Sequence, residues 1–138
     1  RIYGTNTFDT LEFNPGKSYK FESGKTQTLA APNGLFIASG SAGSQITVSS
    51  TTAGSSATIH KDNTNGDMTH FCFDFISVED NIATSNDAAF NFFTKANSDN
   101  VNGTATGIWD FTRTTFITPT ITATPDQNLC KGAKTDIV

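Results

Sequence analysis

The run His70-Phe71-Cys72-Phe73-Asp74-Phe75-Ile76-Ser77-Val78-Glu79-Asp80 is the longest strand-like stretch of the chain, and it sets the limits on what can fold around it. Phe71, Phe73 and Phe75 alternate with Cys72 and Asp74, and a period of two puts the three rings on one face of an extended strand. Such a face must be covered by a core. The phase slips at the adjacent Phe75 and Ile76, and alternation resumes with Ile76, Val78 and Asp80 against Ser77 and Glu79. The slip predicts a bend or bulge between two short strands, a corner that keeps the apolar side inward. Asp80-Asn81 then closes the run with turn chemistry.

The rest of the chain repeats this short-strand grammar. Phe8, Leu11 and Phe13 form one pattern, stopped at Asn14-Pro15-Gly16, and Tyr19 and Phe21 form the next, stopped at Ser23-Gly24-Lys25. Further strands read at Thr26 to Leu29, Leu35 to Ser39, Gln45 to Ser49 and Ala57 to His60, each bounded by Gly, Ser or Pro corners. Apolar residues never recur at helical spacing for three turns, so the fold class is all-β. Two-residue hairpin turns are available at Asn33-Gly34 and Asn65-Gly66, but most corners are broader. Strand triplets starting near Phe8, Leu35 and Phe71 recur roughly every 25 to 35 residues, a solenoid spacing. The expectation is a short right-handed parallel β-helix of about three coils, with Phe21, Phe36, Phe73, Phe75, Ile46 and Val48 stacked inside.

The last coil is read through Ala89 to Thr94, a polar loop from Lys95 to Gly107, and a strand at Ile108 to Phe111, with the single Trp109 capping the open end of the core. Beyond Phe111 the composition shifts. The domain reading is therefore 1–111 as the β-helix-like unit, 112–125 as an extended Thr/Pro connector, and 126–138 as the truncated start of another module. Cys72 and Cys130 are the only cysteines and fall in different units on this reading. No bridge between them is expected: Cys72 reads as a small strand residue, and Cys130 as waiting for a partner outside the segment.

Charged residues make up 16% of the chain and the net charge is -4, which leaves no basic stripe for phosphate neutralisation and sets nucleic acid aside as a partner. No apolar run approaches the roughly 18 residues that cross a bilayer as a helix, so the segment is not read as membrane-spanning. Opening at Arg1 without a leader suggests a processed product or a piece of something longer. Twelve Phe in a Thr-rich, Ser-rich and Gly-rich background suits secretion.

Thr7-Phe8-Asp9-Thr10-Leu11-Glu12-Phe13-Asn14-Pro15-Gly16-Lys17-Ser18-Tyr19-Lys20-Phe21-Glu22-Ser23-Gly24-Lys25-Thr26 resembles the opening coil of the right-handed parallel β-helix repeats of large surface adhesins of gliding bacteria. Phe73 to Asp80 is similar to that family's central coil. Phe92-Phe93 with Ala96-Asn97-Ser98, and Gly107-Ile108-Trp109-Asp110-Phe111, resemble its closing coil, although Thr94-Lys95 stands where the family usually has Ala-Gly. Leu129-Cys130-Lys131-Gly132 is similar to the first strand of the immunoglobulin-like modules that often follow. The resemblance implies export by the type IX route and display on the bacterial cell surface. Its implied partners are other modules of the same polypeptide, secretion or anchoring machinery, and surface polysaccharide.

Parallel β-helices also host polysaccharide lyases and hydrolases, which cluster carboxylates, and in lyases a base, on one outer face. Asp74, Glu79 and Asp80 are the acidic candidates, with His70 and Cys72 sharing the parity of Asp74; the plainer reading is solvated outward residues. Arg113 lies past the last coil, so no lyase-like base is evident. His60 and His70 lack ligands at metal spacing. Asp62-Asn63-Thr64-Asn65-Gly66-Asp67 suggests Ca²⁺ but lacks the register and the closing Glu of a calcium loop, and a polar turn is the better reading; Asn97, Asp99, Asn100 and Asn102 invite the same idea and are better read as capping the backbone themselves. No cofactor is expected. Asn102-Gly103-Thr104 has the sequon form, and Asp9-Thr10-Leu11 resembles a short O-glycosylation site of bacteria of that secretion class. The expected function is a non-catalytic structural or adhesive module, with Asn97, Ser98, Asp99, Asn100 and Asn102 as the adhesive loop. The alternative is a fragment of a carbohydrate-active β-helix enzyme.

Overall fold

A computed structural model describes residues 1–63, 70–112 and 130–131. Its strands are β1 (Asn6–Phe8), β2 (Thr10–Phe13), β3 (Ser18–Phe21), β4 (Thr26–Leu29), β5 (Leu35–Ala38), β6 (Ile46–Ser50) and β7 (Ala57–Lys61). They continue as β8 (His70–Phe73), β9 (Ile76–Val78), β10 (Asn81–Ser85), β11 (Phe92–Thr94), β12 (Asp99–Asn100), β13 (Ala105–Gly107), β14 (Trp109–Asp110) and β15 (Cys130–Lys131). A 3-10 turn at Val101–Gly103 separates β12 from β13. The all-β reading holds, and among the described residues no α-helix occurs.

All pairings between these strands are parallel. Apart from β15, each partner lies three strands along the chain. One sheet runs β1-β4-β7-β10-β13, a second β12-β9-β6-β3, and the third direction is divided between β2-β5 and β14-β11-β8-β15. Parallel strands cannot be joined by hairpins, because the chain must cross back before it can pair again in the same sense. Here it crosses by visiting the other two strand directions.

Alternation decides what each strand buries. Leu11 and Phe13, Ile46 and Val48, Phe71 and Phe73, Ile76 and Val78 are buried and the residues between them more exposed; after Val48 the alternation breaks, and Ser49 and Ser50 are buried too. The inward residues form one apolar cluster that includes Phe21, Phe36, Phe90, Phe92 and Trp109. Phe13 and Tyr19 stack flat at 3.7 Å, while the other rings meet at angles: Phe73 lies 5.0 Å from Phe36 and 5.3 Å from Trp109, centroid to centroid. Trp109 stands on β14, at the end of its sheet, and donates from Nε1 to Asn81 Oδ1 at 3.0 Å.

Three expectations are corrected. Phe75 is half-buried and outside the core cluster, because it adopts the left-handed conformation (φ 50°) at the corner between β8 and β9. The phase slip at Phe75-Ile76 marked that corner, but the turn takes the third ring off the inward face. The stretch from Lys95 to Gly107 is not a loop: Asp99 and Asn100 pair with Ser77 and Val78, and Ala105 to Gly107 pair with Asn81 to Ala83. Backbone pairing does not require apolar alternation, so a polar sequence hid two strands.

The third correction concerns the cysteines. Cys72 is disulfide-bonded, and Cys130 is the only other cysteine of the chain. Cys130 and Lys131 pair with His70 and Phe71, so the segment placed in a separate unit returns to the sheet. A parallel strand can come from any distance in sequence, and spacing alone therefore could not indicate this. The remainder of 113–138, including Arg113, most of the Thr/Pro connector and the immunoglobulin-like start, lies outside the described residues, as do residues 64–69.

Candidate functional site

The carboxylates singled out in the sequence occupy two different corners. Asp74 follows β8, where its carboxylate accepts the Phe75 N–H at 3.0 Å and a hydrogen bond from Asn97 Nδ2 at 3.1 Å, with Lys95 Nζ 3.5 Å from its other oxygen. Lys95 and Asp74 are 38% and 21% exposed, so water weakens this ion pair. The backbone there is tightly fitted: Gly40 donates to the Asp74 carbonyl at 2.9 Å, and a Cβ on Gly40 would lie 2.6 Å from the Phe75 carbonyl oxygen.

Glu79 and Asp80 make the corner between β9 and β10. Asp80 is 6% exposed and turns the chain with φ 48°. Its Oδ2 accepts the Gly54 N–H at 2.7 Å, while its own N–H donates to Thr104 Oγ1 at 2.8 Å. One residue thus joins the corner before it and the corner after it. Glu79 Oε1 accepts from Asn102 Nδ2 at 3.2 Å. Through these bonds the three carboxylates each reach a residue more than twenty positions away along the chain.

The five residues expected in an adhesive loop are distributed by the same logic. Asn97 and Asn102 are exposed but bind Asp74 and Glu79. Ser98 Oγ accepts the Ile76 N–H at 3.4 Å. Asn100 closes the 3-10 turn, its side chain donating to the Ala105 carbonyl and accepting the Ala105 N–H, both at 2.9 Å. Asp99 is exposed on β12. The hydroxyl of Thr104, in the sequon, donates to the Val101 carbonyl, and Thr10 is exposed on β2.

His60 Nδ1 lies 2.9 Å from Thr84 Oγ1, and His70 Nδ1 accepts the Asn91 N–H at 3.1 Å with its ring 4.7 Å from Phe93. The two histidines serve different strands. Asp62 Oδ1 accepts from Asn86 Nδ2 and the Asn63 N–H donates to Asn86 Oδ1, which ties the start of the suggested Ca²⁺ stretch to the next unit. Among the described residues no group of three or more His, Cys, Asp or Glu is placed to hold a metal ion.

The sequence reading missed the buried polar residues. Lys61 is fully buried and donates from Nζ to the carbonyls of Ala30 (3.0 Å), Pro32 (3.3 Å) and Asp62 (3.0 Å). Gln27, also fully buried, donates to the Gly4 carbonyl at 2.7 Å and accepts from Asn6 Nδ2 at 2.9 Å. A signal existed. Lys61 shares parity with Ala57 and Ile59, and Gln27 with Leu29, so period two already put both side chains inward.

No family model matches the chain, and no curated protein or solved structure matches it. The functional reading therefore rests on the geometry.

Proposed function

We propose that this chain is a right-handed parallel β-helix module that serves as a rigid spacer or adhesive unit in a larger secreted protein on a bacterial cell surface, without chemistry of its own. The observation that carries the reading is the use made of the outer carboxylates. Asp74, Glu79 and Asp80 each bind a neighbouring three-strand unit, which is what a stacking element needs and what a pair of catalytic acids cannot spare. The solenoid geometry is supported by parallel pairing at intervals of three strands, and the right hand by the strong chirality of parallel crossovers. Stacked units that share one core resist bending, which suits a spacer.

A second reading has one observation in its favour: the Lys95 and Asp74 pair is an acid with a base on the outer face, the combination a polysaccharide lyase uses. Incubating the purified chain with uronate polymers separates the two. The spacer reading expects no unsaturated uronate product absorbing in the near ultraviolet, and product that disappears in Lys95→Ala would establish the lyase instead. The adhesive part is tested by coating beads with the chain and measuring retention on polysaccharide surfaces. Asp99→Ala together with Thr106→Ala, exposed positions on two different sheets, should reduce retention if the stretch from Asp99 to Thr106 adheres and leave it unchanged if the module is only a spacer.

A further inference from the structure

Two Asn-Gly pairs occur among the described residues, and the fold treats them in opposite ways. At Asn33-Gly34 the glycine is buried, its N–H donates to the Ala30 carbonyl at 2.7 Å, and a Cβ added to it would collide with that carbonyl. The backbone there has no room to turn. Asn102-Gly103 forms the tip of the 3-10 turn between β12 and β13, and both residues are exposed. Asn102 holds the left-handed conformation (φ 54°, ψ 14°), Gly103 follows with φ 69°, and a Cβ added to Gly103 would meet nothing within 4 Å. A side-chain-bearing residue reaches that region at a cost, and open space with a glycine beside it lets the backbone leave. The turn is fixed at its base, where Thr104 donates from its N–H and its hydroxyl to the Val101 carbonyl. At the tip, Asn102 Nδ2 donates to Glu79 Oε1 at 3.2 Å in a bond exposed to solvent.

We propose that Asn102-Gly103 is a self-modification site, at which the chain converts its own Asn102 to aspartate and isoaspartate and thereby releases the turn from Glu79. Asparagine is a chemically labile side chain, and its local backbone decides how fast it reacts. Hydroxide removes the Gly103 amide proton, and the nitrogen attacks Asn102 Cγ. The N–Cγ bond forms, the Cγ–Nδ2 bond breaks, and Nδ2 leaves as ammonia with a proton from water, which returns the hydroxide. The product is a cyclic imide. Water opens it at Cγ to give aspartate, or at the backbone carbonyl to give isoaspartate, in which the chain runs through the side chain and gains a methylene. Water is the only co-reactant consumed. Glycine in the second position leaves the nitrogen unhindered, and exposure lets the backbone rotate until that nitrogen reaches Cγ.

The consequence falls on the bond across to β9 and β10. The donor to Glu79 becomes a carboxylate, so an attraction turns into repulsion between two anions, and the turn leading into β13 loses its tie to the corner that precedes β10. This inference is independent of the spacer reading, since it concerns the lifetime of one amide.

Wild-type chain held at mildly alkaline pH, then digested and mapped by mass, tests the site. In the folded chain the peptide carrying Asn102 should convert at least about tenfold faster than the peptide carrying Asn33, with isoaspartate detected by enzymatic carboxyl methylation. In denaturant both pairs are equally free and should convert within about threefold of each other. Comparable rates in the folded chain, or conversion of Asn102 only after denaturation, overturn the site. Release from Glu79 is read by hydrogen exchange on Asn102→Asp, in which the amides of Thr104, Ala105 and Thr106 should exchange at least about threefold faster than in wild type. Adding Glu79→Gln removes the like charge and supplies a donor, and should restore wild-type exchange. Unchanged exchange in Asn102→Asp, or no restoration by Glu79→Gln, overturns the release.

Discussion

Two faces of this molecule are built from the same kind of strand and end differently. The sheet β1-β4-β7-β10-β13 is unbroken, whereas the strands of the third direction form two sheets, β2-β5 and β14-β11-β8-β15, joined by the Ser39–Asp74 bridge. The corners explain the difference. On the way into the divided face Lys61 reaches inward to bind carbonyls at Ala30, Pro32 and Asp62, and Asn86 ties the corner after β10 to Asp62 and Asn63. On the way into the unbroken face the corner at Glu79 and Asp80 is short and Asp80 ties it to Gly54 and Thr104. Corners bind one another directly on both faces, and what sets the divided one apart is a buried ammonium that satisfies three backbone carbonyls.

The largest effect is expected beneath the division, where β5 and β8 are joined by the core and by the Ser39–Asp74 bridge past their ends. Phe73→Ala removes a fully buried ring in contact with Phe36, Phe92 and Trp109, and should cost about 3 to 5 kcal/mol in chemical denaturation. A variant that melts with the wild type would falsify the shared core. Next comes Lys61→Met, which keeps the stem but leaves three carbonyls without their donor. A loss of about 3 kcal/mol is expected, with hydrogen exchange rising at His70 and Phe71 before it rises at Thr58 and Ile59. Equal exchange at both places would mean that the two faces open together and the contrast between them is lost.

Gly107→Ala tests the unbroken sheet at its last strand. Gly107 has φ 77°, and an added Cβ would meet the Ala83 carbonyl oxygen at 2.0 Å, so β13 must shift off β10. About 2 kcal/mol should be lost, with the increase in exchange confined to 105–110. The smallest effect is expected at Phe75→Gly. Relief of the left-handed conformation offsets the loss of a half-buried ring, and stability should stay within about 1 kcal/mol of wild type by thermal melting. A loss as large as that of Phe73→Ala would return Phe75 to the core.

Much of this was readable along the chain. Alternation at Leu11 and Phe13, Ile46 and Val48, and Phe71 and Phe73 gave strands and their inward faces, because side chains on a strand point to opposite sides in strict turn. The slip at Phe75-Ile76 gave a corner, though not the left-handed backbone that turns Phe75 away from the core. Of the candidate site, the sequence could name Asp74, Glu79, Asp80, Asn97 and Asn102 but could not pair them. Asp74 meets Asn97, and Glu79 meets Asn102, across units more than twenty residues apart.

The sequence by itself determined the strand class, most of the core residues and the positions of the principal corners, since these follow from local periodicity and turn chemistry. Only the tertiary structure decided which strands became neighbours, that Lys61 would bury its ammonium among carbonyls, and that Cys130 would return to the edge of β8. Parallel pairing joins residues through backbone groups that every residue carries, so the side-chain sequence leaves the choice of partner open until the whole chain has closed on its core.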